Sequence, residues 1–551
     1  MKLLMRLIMK NIINKFFSVS RFNIARLGIY SIYFALFFIL IVSQFRKSFD
    51  AGLLNNNKKL NIKYDSITSN RLDIVDRNGR VLSHDAIEYS FYLVPSKMID
   101  VEMNLDKVIK IFPKLESRRE TLLKNLQSKM DSKNGLLLIE QKISYEQKQA
   151  LLDNGILGLY FEETYNRHYI YSSMLYHVIG AINNEFYGYS GIERGMNSYL
   201  SNLENEKPLQ LSIDLDVQMI LYNALYQKMN IFKGKGAAGV VMNIENGEIV
   251  AAVSLPDCRT VNQCNANEMF NRFSFGVYEL GSVAKLLLAA NAFELGISPY
   301  KEYERSEYKI DNYVIHDIDK SEKAGGRINI IDIIKKSSNV GCARLVEEIG
   351  VDKQKSFLEN LGLLERIYTQ IPETTRPLYP KKWSLVNGVT ISYGQSIAMS
   401  PLQFTTAVAS LMNSYRVFPT FLKGNGEVFL GNRVISDEAK KVLTDVMKVV
   451  VTEGSGRKAY ISEYDIGGKT GTGIKQVNGV YDPHKVTLTF VAVTPIDKPK
   501  YVFFIMLDEP FVDASNNSQI RGSGVMAPLM HEIISAAGPI LKIPKKVVSG
   551  G

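Results

Sequence analysis

From Leu27 to Phe45 the chain reads LGIYSIYFALFFILIVSQF, nineteen residues without a charge. As a helix this run is just long enough to cross a bilayer, so it commits the chain beyond it to one side of a membrane. Lys2, Arg6, Lys10, Lys15, Arg21 and Arg26 precede it, no acidic residue occurs before Asp50, and Arg46 and Lys47 close the far end. The tail outweighs those two, which by the positive-inside rule puts residues 1–26 in the cytoplasm and the rest outside. A cleaved signal peptide fits less well: the run is long and bulky, and no convincing A-x-A site follows. No second span of comparable length occurs, so a single-pass protein is expected. The six basic tail residues also supply most of the net charge of +10. A charge concentrated at a membrane edge gives no footprint for nucleic acid.

The chemistry concentrates in YELGSVAKLLLAANAFELG, Tyr278 to Gly296. Ser282 lies at the mouth of an apolar helix, and Lys285 is one turn further on. Residues three apart share a helix face, so hydroxyl and amine can meet in one cleft. A serine needs a base to become a nucleophile, and a lysine is a base only where burial or a neighbouring cation lowers its pKa. Leu286, Leu287, Leu288, Ala289 and Ala290 suggest that burial. Taken alone, S-x-x-K is short and degenerate, and a core helix with a serine cap explains it equally.

Two further elements follow in order: Ser337-Ser338-Asn339 in KKSSNVGCARL, and Lys469-Thr470-Gly471 in YDIGGKTGTGIKQ. S-x-x-K, S-x-N and K-T-G in that sequence are the signature of penicillin-binding proteins and serine β-lactamases. On these residues the chain resembles a penicillin-binding protein. The resemblance implies a serine acyl-transfer site with Ser282 as nucleophile and Lys285 as its base. Ser337 would relay a proton, Asn339 would hold substrate and orient Lys285, and Lys469 would supply positive charge. Thr470 and Thr472, with Gly471 between them, would bind the substrate carboxylate, and the oxyanion would sit between the N–H groups of Ser282 and Thr472. Val283 and Ala284 depart from the bulkier pair common inside S-x-x-K, which puts the local packing in question.

Upstream, RLDIVDRNGRVLS (Arg71 to Ser83) reads as two strands joined at Asn78-Gly79, a two-residue hairpin signal. With Tyr92 and Pro95 it is similar to the opening of the N-terminal pedestal of class B penicillin-binding proteins, which singles out Arg71, Asp76 and Gly79. Residues 97–160 alternate polar helical patterns with short strands and carry no legible chemistry. In NRHYIYSSMLYHVIGAINNEFYGYSGIERGMNSYL, Arg167, His177, Gly180, Gly191 and Glu193 match the motif at the pedestal's base. The resemblance implies a buried Arg167–Glu193 pair that is architecture, ahead of a helix beginning near Ile192.

From Leu211 a short strand and an amphipathic helix precede GAAGVVMNIENGEIVAAVSLP, a hairpin turning at Asn246-Gly247. GVYDPHKVTLTFVAVTP and KPKYVFFIMLDEP carry the alternation and β-branched content of further strands. The expected architecture is α+β: one N-terminal transmembrane helix (27–45), an elongated β-rich pedestal (46–210), and a transpeptidase domain (211–540) with an antiparallel sheet covered by helices on both faces. Residues 541–551 form a short basic tail, expected to be disordered.

YPKKWSLVNGVTISYGQSIAMSPLQFTTAVASLMN, VVTEGSGRKA and FVAVTPIDKPKYVFFIMLDEP look most like the division-specific, FtsI-type members. That resemblance implies a D,D-transpeptidase that acylates Ser282 with a D-Ala-D-Ala stem peptide, releases D-Ala and passes the acyl group to an amine on a neighbouring stem. β-Lactams would be covalent inhibitors. Neither metal nor cofactor is expected. About 160 residues between span and transpeptidase leave no room for a glycosyltransferase domain, which implies a SEDS-family glycosyltransferase and other division proteins as partners. An elongation-specific relative shares the motifs; a carboxypeptidase, β-lactamase, β-lactam receptor or non-catalytic division scaffold are the other readings. A meso-diaminopimelate acceptor is the expectation, since no further domain follows residue 540. Cys258 and Cys264, in LPDCRTVNQCNAN, could pair in an oxidising compartment, and Cys342 reads as a small buried hydrophobe.

Overall fold

The computed structural model describes residues 71–131, 135–258, 264–317, 326–424, 426, 428–511 and 521–546. The apolar run 27–45 lies outside them, and among the described residues no helix is long and apolar enough to cross a membrane.

The pedestal is a mixed sheet of β1 (Ile74–Val75), β2 (Val81–Leu93), β3 (Leu137–Ile143), β4 (Leu159–Tyr169) and β5 (Leu209–Gln210). β2 is its axis, antiparallel to β1, β3 and β4, while β5 joins β1 in parallel. Helices 101–111, 119–128 and 145–153 cover one end around Phe91, Leu105, Val108 and Leu126. The β1–β2 connection is wider than a two-residue turn, because Asp76 organises it. Its carboxylate accepts from the N–H groups of Asn78 (2.8 Å) and Arg80 (2.9 Å), and its own N–H donates to the Arg80 carbonyl at 2.8 Å. Gly79 takes φ +85°, a left-handed position where glycine pays no Cβ penalty.

The larger sheet is wholly antiparallel. Its strands are β6 (Gly236–Asn243), β7 (Ile249–Leu255), β8 (Gly467–Val477), β9 (Val480–Thr494) and β10 (Tyr501–Asp508), ordered β8-β9-β10-β6-β7. One face carries α1 (Leu215–Ile231), capped by the Asp214 carboxylate. The other carries α2 (Lys285–Glu294), α3 (Asn339–Ile349), α4 (Pro401–Asn413) and α5 (Asp437–Thr452), and α6 (Gly522–Ile540) returns to the first. In β10, Val502, Phe504 and Met506 pack toward α4 and α5, while Phe503, Ile505 and Leu507 pack toward α1 and α6. All eight residues of β10 are buried. This explains why YVFFIML is a continuous apolar run where alternation was expected: alternation marks a sheet wetted on one face, and this strand is wetted on neither. The β6–β7 connection is five residues, 244–248, with Gly247 at φ +74°.

Cys258 and Cys264 are joined in a disulfide, and Cys342 is free and buried. Within the expected tail, residues 541–546 are described, and Lys546 is tied to the body. The Lys546 N–H donates to the Glu463 carbonyl at 2.8 Å and its amine pairs with Asp465 at 3.2 Å.

Candidate active site

Ser282 lies in a 3-10 turn, Gly281–Ala284, that feeds directly into α2. It is half-buried, while Val283 and Ala284, which follow it in the turn, are buried. Gly281 takes φ +64°, and a Cβ there would stand 2.4 Å from the Thr472 carbonyl oxygen. Only glycine lets the nucleophile turn press this closely on β8. Gly471 plays the matching part from the strand side, since its Cβ would fall 2.6 Å from the Leu280 carbonyl. β8 is the edge strand of its sheet, and the turn lies along that edge.

Lys285 begins α2 and is completely buried. Its amine donates to the Ser337 carbonyl (2.6 Å), the Ser337 hydroxyl (3.0 Å) and the Asn339 amide oxygen (2.8 Å). Among the described residues it makes no hydrogen bond to Ser282. The spacing argument allowed such a bond, but an ammonium only donates, and all three of its protons find acceptors on the S-x-N element. Burial pushes the Lys285 pKa down, against smaller opposing effects of Cys342 and Asp317. A neutral amine has two protons and a lone pair, so losing one of the three bonds frees an acceptor.

Lys469 is also fully buried, and donates to the Ser337 hydroxyl at 3.2 Å and to the Thr470 carbonyl at 3.1 Å. The Ser337 Oγ therefore sits between two amines. Burial, reinforced by the Lys285 charge, pushes the Lys469 pKa down to about 7. Ser337 itself is left-handed, φ 63° and ψ 41°, as it links helix 330–336 to α3. That conformation costs a non-glycine residue about 1–3 kcal/mol and persists only where its surroundings over-determine it. The Thr470 hydroxyl is bonded to the Ser455 hydroxyl at 2.9 Å, and the Thr472 hydroxyl accepts from the Gly522 N–H at 3.2 Å.

Ser282, Lys285, Ser337, Asn339, Lys469, Thr470, Gly471 and Thr472 thus line one region. Arg71, Asp76, Gly79, Arg167, Gly191 and Glu193 belong to the pedestal. There Glu193, fully buried, accepts from Arg71 (2.8 Å) and Arg167 (2.7 Å), and Asp85 accepts from Arg167 (3.0 Å) and from the Arg71 N–H (2.6 Å). Gly191 and Gly180 abut, each with its absent Cβ against the other's backbone. Sequence reasoning missed Asp85, Asp317 and Ser455. Ser455 stood inside a stretch quoted only for its resemblance, and Asp85 and Asp317 lie far in sequence from their partners and in no motif.

Residues 237–534 match the penicillin binding protein transpeptidase domain family, and residues 66–209 match the penicillin-binding protein dimerisation domain. Over 493 residues the chain is 29% identical to the probable peptidoglycan D,D-transpeptidase FtsI of Caulobacter vibrioides, covering 86% of this chain and 82% of that one. It is 25% identical over 487 residues to the probable peptidoglycan D,D-transpeptidase PenA of Neisseria gonorrhoeae, covering 82% and 81%. The fold is shared with the crystal structure of penicillin binding protein 3 from Mycobacterium tuberculosis, complexed with aztreonam, at a TM-score of 0.66 and 20% identity, covering 87% of this chain and 97% of that one.

Proposed function

Because the chain belongs to the penicillin-binding protein transpeptidase family, we propose that Ser282 is the acyl-accepting nucleophile of a class B, division-type peptidoglycan D,D-transpeptidase. The reaction cross-links stem peptides. The Ser282 Oγ attacks the carbonyl carbon of the penultimate D-Ala while neutral Lys285 takes its proton. The resulting oxyanion is stabilised by the N–H groups of Ser282 and Thr472. Collapse breaks the C–N bond to the terminal D-Ala, whose nitrogen receives a proton through Ser337. An amine of a second stem then attacks the ester carbonyl, loses a proton to the same relay and releases Ser282.

One observation carries this reading: the Ser337 hydroxyl is bonded to both buried amines, Lys285 at 3.0 Å and Lys469 at 3.2 Å, beside the Ser282 turn. That is a wired path for a proton between base and leaving group. Burial and the Lys285 charge hold the Lys469 pKa down to about 7, and the donor's terminal carboxylate, bound at Thr470 and Thr472, favours its protonated form. Among the described residues β8 ends its sheet, paired on one side with β9, and such an edge suits a peptide laid along it as an added strand.

The test is labelling of the full chain in membranes with a fluorescent penicillin. A covalent band in the wild type that is lost in Ser282→Ala is the expected result. A band that survives in the variant removes Ser282 from the role.

Residues 27–45 anchor the chain by a single span, with the pedestal (46–210) and transpeptidase domain (211–540) on the outer side of the cytoplasmic membrane. A SEDS-family glycosyltransferase beside the span supplies the glycan strands. The uncharged run and its basic flank support this. Exchange of residues 27–45 for an unrelated span should impair division while leaving penicillin labelling intact; full division with the foreign span counts against a partner there.

A further inference from the structure

Ser337 holds a left-handed conformation in the middle of the proton path, and something must keep it there. On its N-terminal side, helix 330–336 runs into it, and the Ser338 N–H bonds back to the Ile333 carbonyl at 2.9 Å. On its C-terminal side the anchor comes from a distant segment. Asp317 follows the short hairpin Tyr308–Ile310/Tyr313–Ile315, which is no part of the three motifs. Its Oδ1 accepts from the Asn339 N–H at 2.6 Å and the Val340 N–H at 3.1 Å, and its Oδ2 accepts from the Ser338 hydroxyl at 2.8 Å. The Ser338 Oγ in turn accepts from the Gly341 N–H at 2.9 Å. The first three N–H groups of α3 are thereby satisfied, two of them by one carboxylate. Arg305 steadies that carboxylate through Nε at 3.4 Å.

A serine cap alone would have sufficed to start the helix. Ionised acceptors at a helix N-terminus make shorter, stronger bonds, and this one grips the residue whose side chain meets the base: Asn339 carries its amide oxygen 2.8 Å from Lys285. We propose that Asp317 is a positioning residue for acylation, locking Ser337-Ser338-Asn339 in the conformation that turns the Ser337 hydroxyl and the Asn339 amide toward Lys285. This rests on the acyl-transfer reading above. Asp317 also brings its negative charge toward Lys285, which is otherwise faced by Lys469 from β8 and the Cys342 thiol from α3. It therefore acts on the base through geometry and through its field.

The experiment compares full-length wild type, Asp317→Ala and Asp317→Asn for the second-order rate of acylation by fluorescent penicillin across about pH 6–10, with thermal melting alongside. Asp317→Ala should acylate at least about tenfold more slowly while still melting as a folded protein, the size of effect expected of a displaced catalytic group. Asp317→Asn keeps an oxygen for the two N–H groups but not the charge. It should acylate at an intermediate rate, with the acid limb of its profile moved to lower pH, because removing an anion near Lys285 leaves the amine neutral to lower pH. Asp317→Ala acylating within twofold of wild type overturns the proposal. So does an Asp317→Asn protein as slow as the alanine variant with an unmoved limb. Wild-type protein that takes no label at all would instead overturn the acyl-transfer reading beneath.

Discussion

The pedestal and the active site each bury two cations, and they handle them in opposite ways. At the pedestal's base Arg71 and Arg167 meet two carboxylates, Glu193 and Asp85, so the charge is matched. The Arg167 pKa is in fact held up, its carboxylate partners outweighing the burial that works against it. In the active site, among the described residues, Lys285 and Lys469 meet only neutral groups directly: a hydroxyl, an amide oxygen and backbone carbonyls. Both amines are driven toward neutrality. Matched buried charge makes a joint, whereas unmatched buried charge makes a base.

The sharpest way to break this contrast is to remove one member from each side. Lys285→Met should cut acylation about 10²–10⁴-fold, the ordinary worth of a general base, while folding stability stays level or rises, since no partner charge is orphaned. Glu193→Gln should do the reverse. It leaves the buried Arg71 guanidinium without a carboxylate and Arg167 with Asp85 alone, and should cost about 3–5 kcal/mol of stability, with the rate of labelling per folded molecule unchanged. Denaturant melts and acylation rates on the same preparations decide both. A Glu193→Gln protein that melts normally would make the pedestal cluster dispensable.

A pH series sharpens the difference. The folded-state pKa of Lys469 is lowered to about 7 from an ordinary 10.5, so between these values the unfolded chain holds a proton that the folded chain lacks. Stability should then rise with pH across about pH 7–10.5, by up to about 1.4 kcal/mol per pH unit. The burial penalty is present in full below pH 7 and relieved as Lys469 deprotonates. Subtracting the curve of Lys469→Met isolates this slope. A flat difference would mean that water reaches the amine.

Gly281→Ala tests how tightly the turn sits on β8. At φ +64° and 2.4 Å from the Thr472 carbonyl an added methyl must move the turn. Acylation should fall by about 10–100-fold, the scale set by an ångström of misplacement, with about 1–2 kcal/mol lost from stability.

How far these features were legible in the sequence follows from how local they are. Ser282, Lys285, Ser337, Asn339 and Lys469 stand in short motifs, and their types alone point to the chemistry. Which atoms touch is another matter. Lys285 bonding to Ser337 and Asn339 rather than Ser282 depends on α3 being brought against α2 by a shared core, which no spacing encodes. Asp85 and Asp317 act across 82 and 21 positions of chain, so as isolated acids they carried no signal. The two-residue turns read at Asn78-Gly79 and Asn246-Gly247 widened because Asp76 and neighbouring backbone supplied acceptors that composition does not reveal. β10 was recognised as a strand but misread in pattern, since a burial pattern depends on what covers the second face.

The smallest effect expected is at Ser455, and its direction is informative. Its hydroxyl meets the Thr470 hydroxyl at 2.9 Å and touches neither lysine. Losing one neutral hydrogen bond costs about 0.5–1.5 kcal/mol, which is about two- to tenfold in rate or affinity. If Thr470 serves to bind the donor's carboxylate, freeing its rotamer weakens binding without touching proton transfer. Ser455→Ala should therefore acylate at the wild-type rate under saturating penicillin and require more penicillin to saturate. A fall in the saturating rate would place Ser455 on the proton path with Ser337, and the unmatched cluster would then extend beyond the two amines.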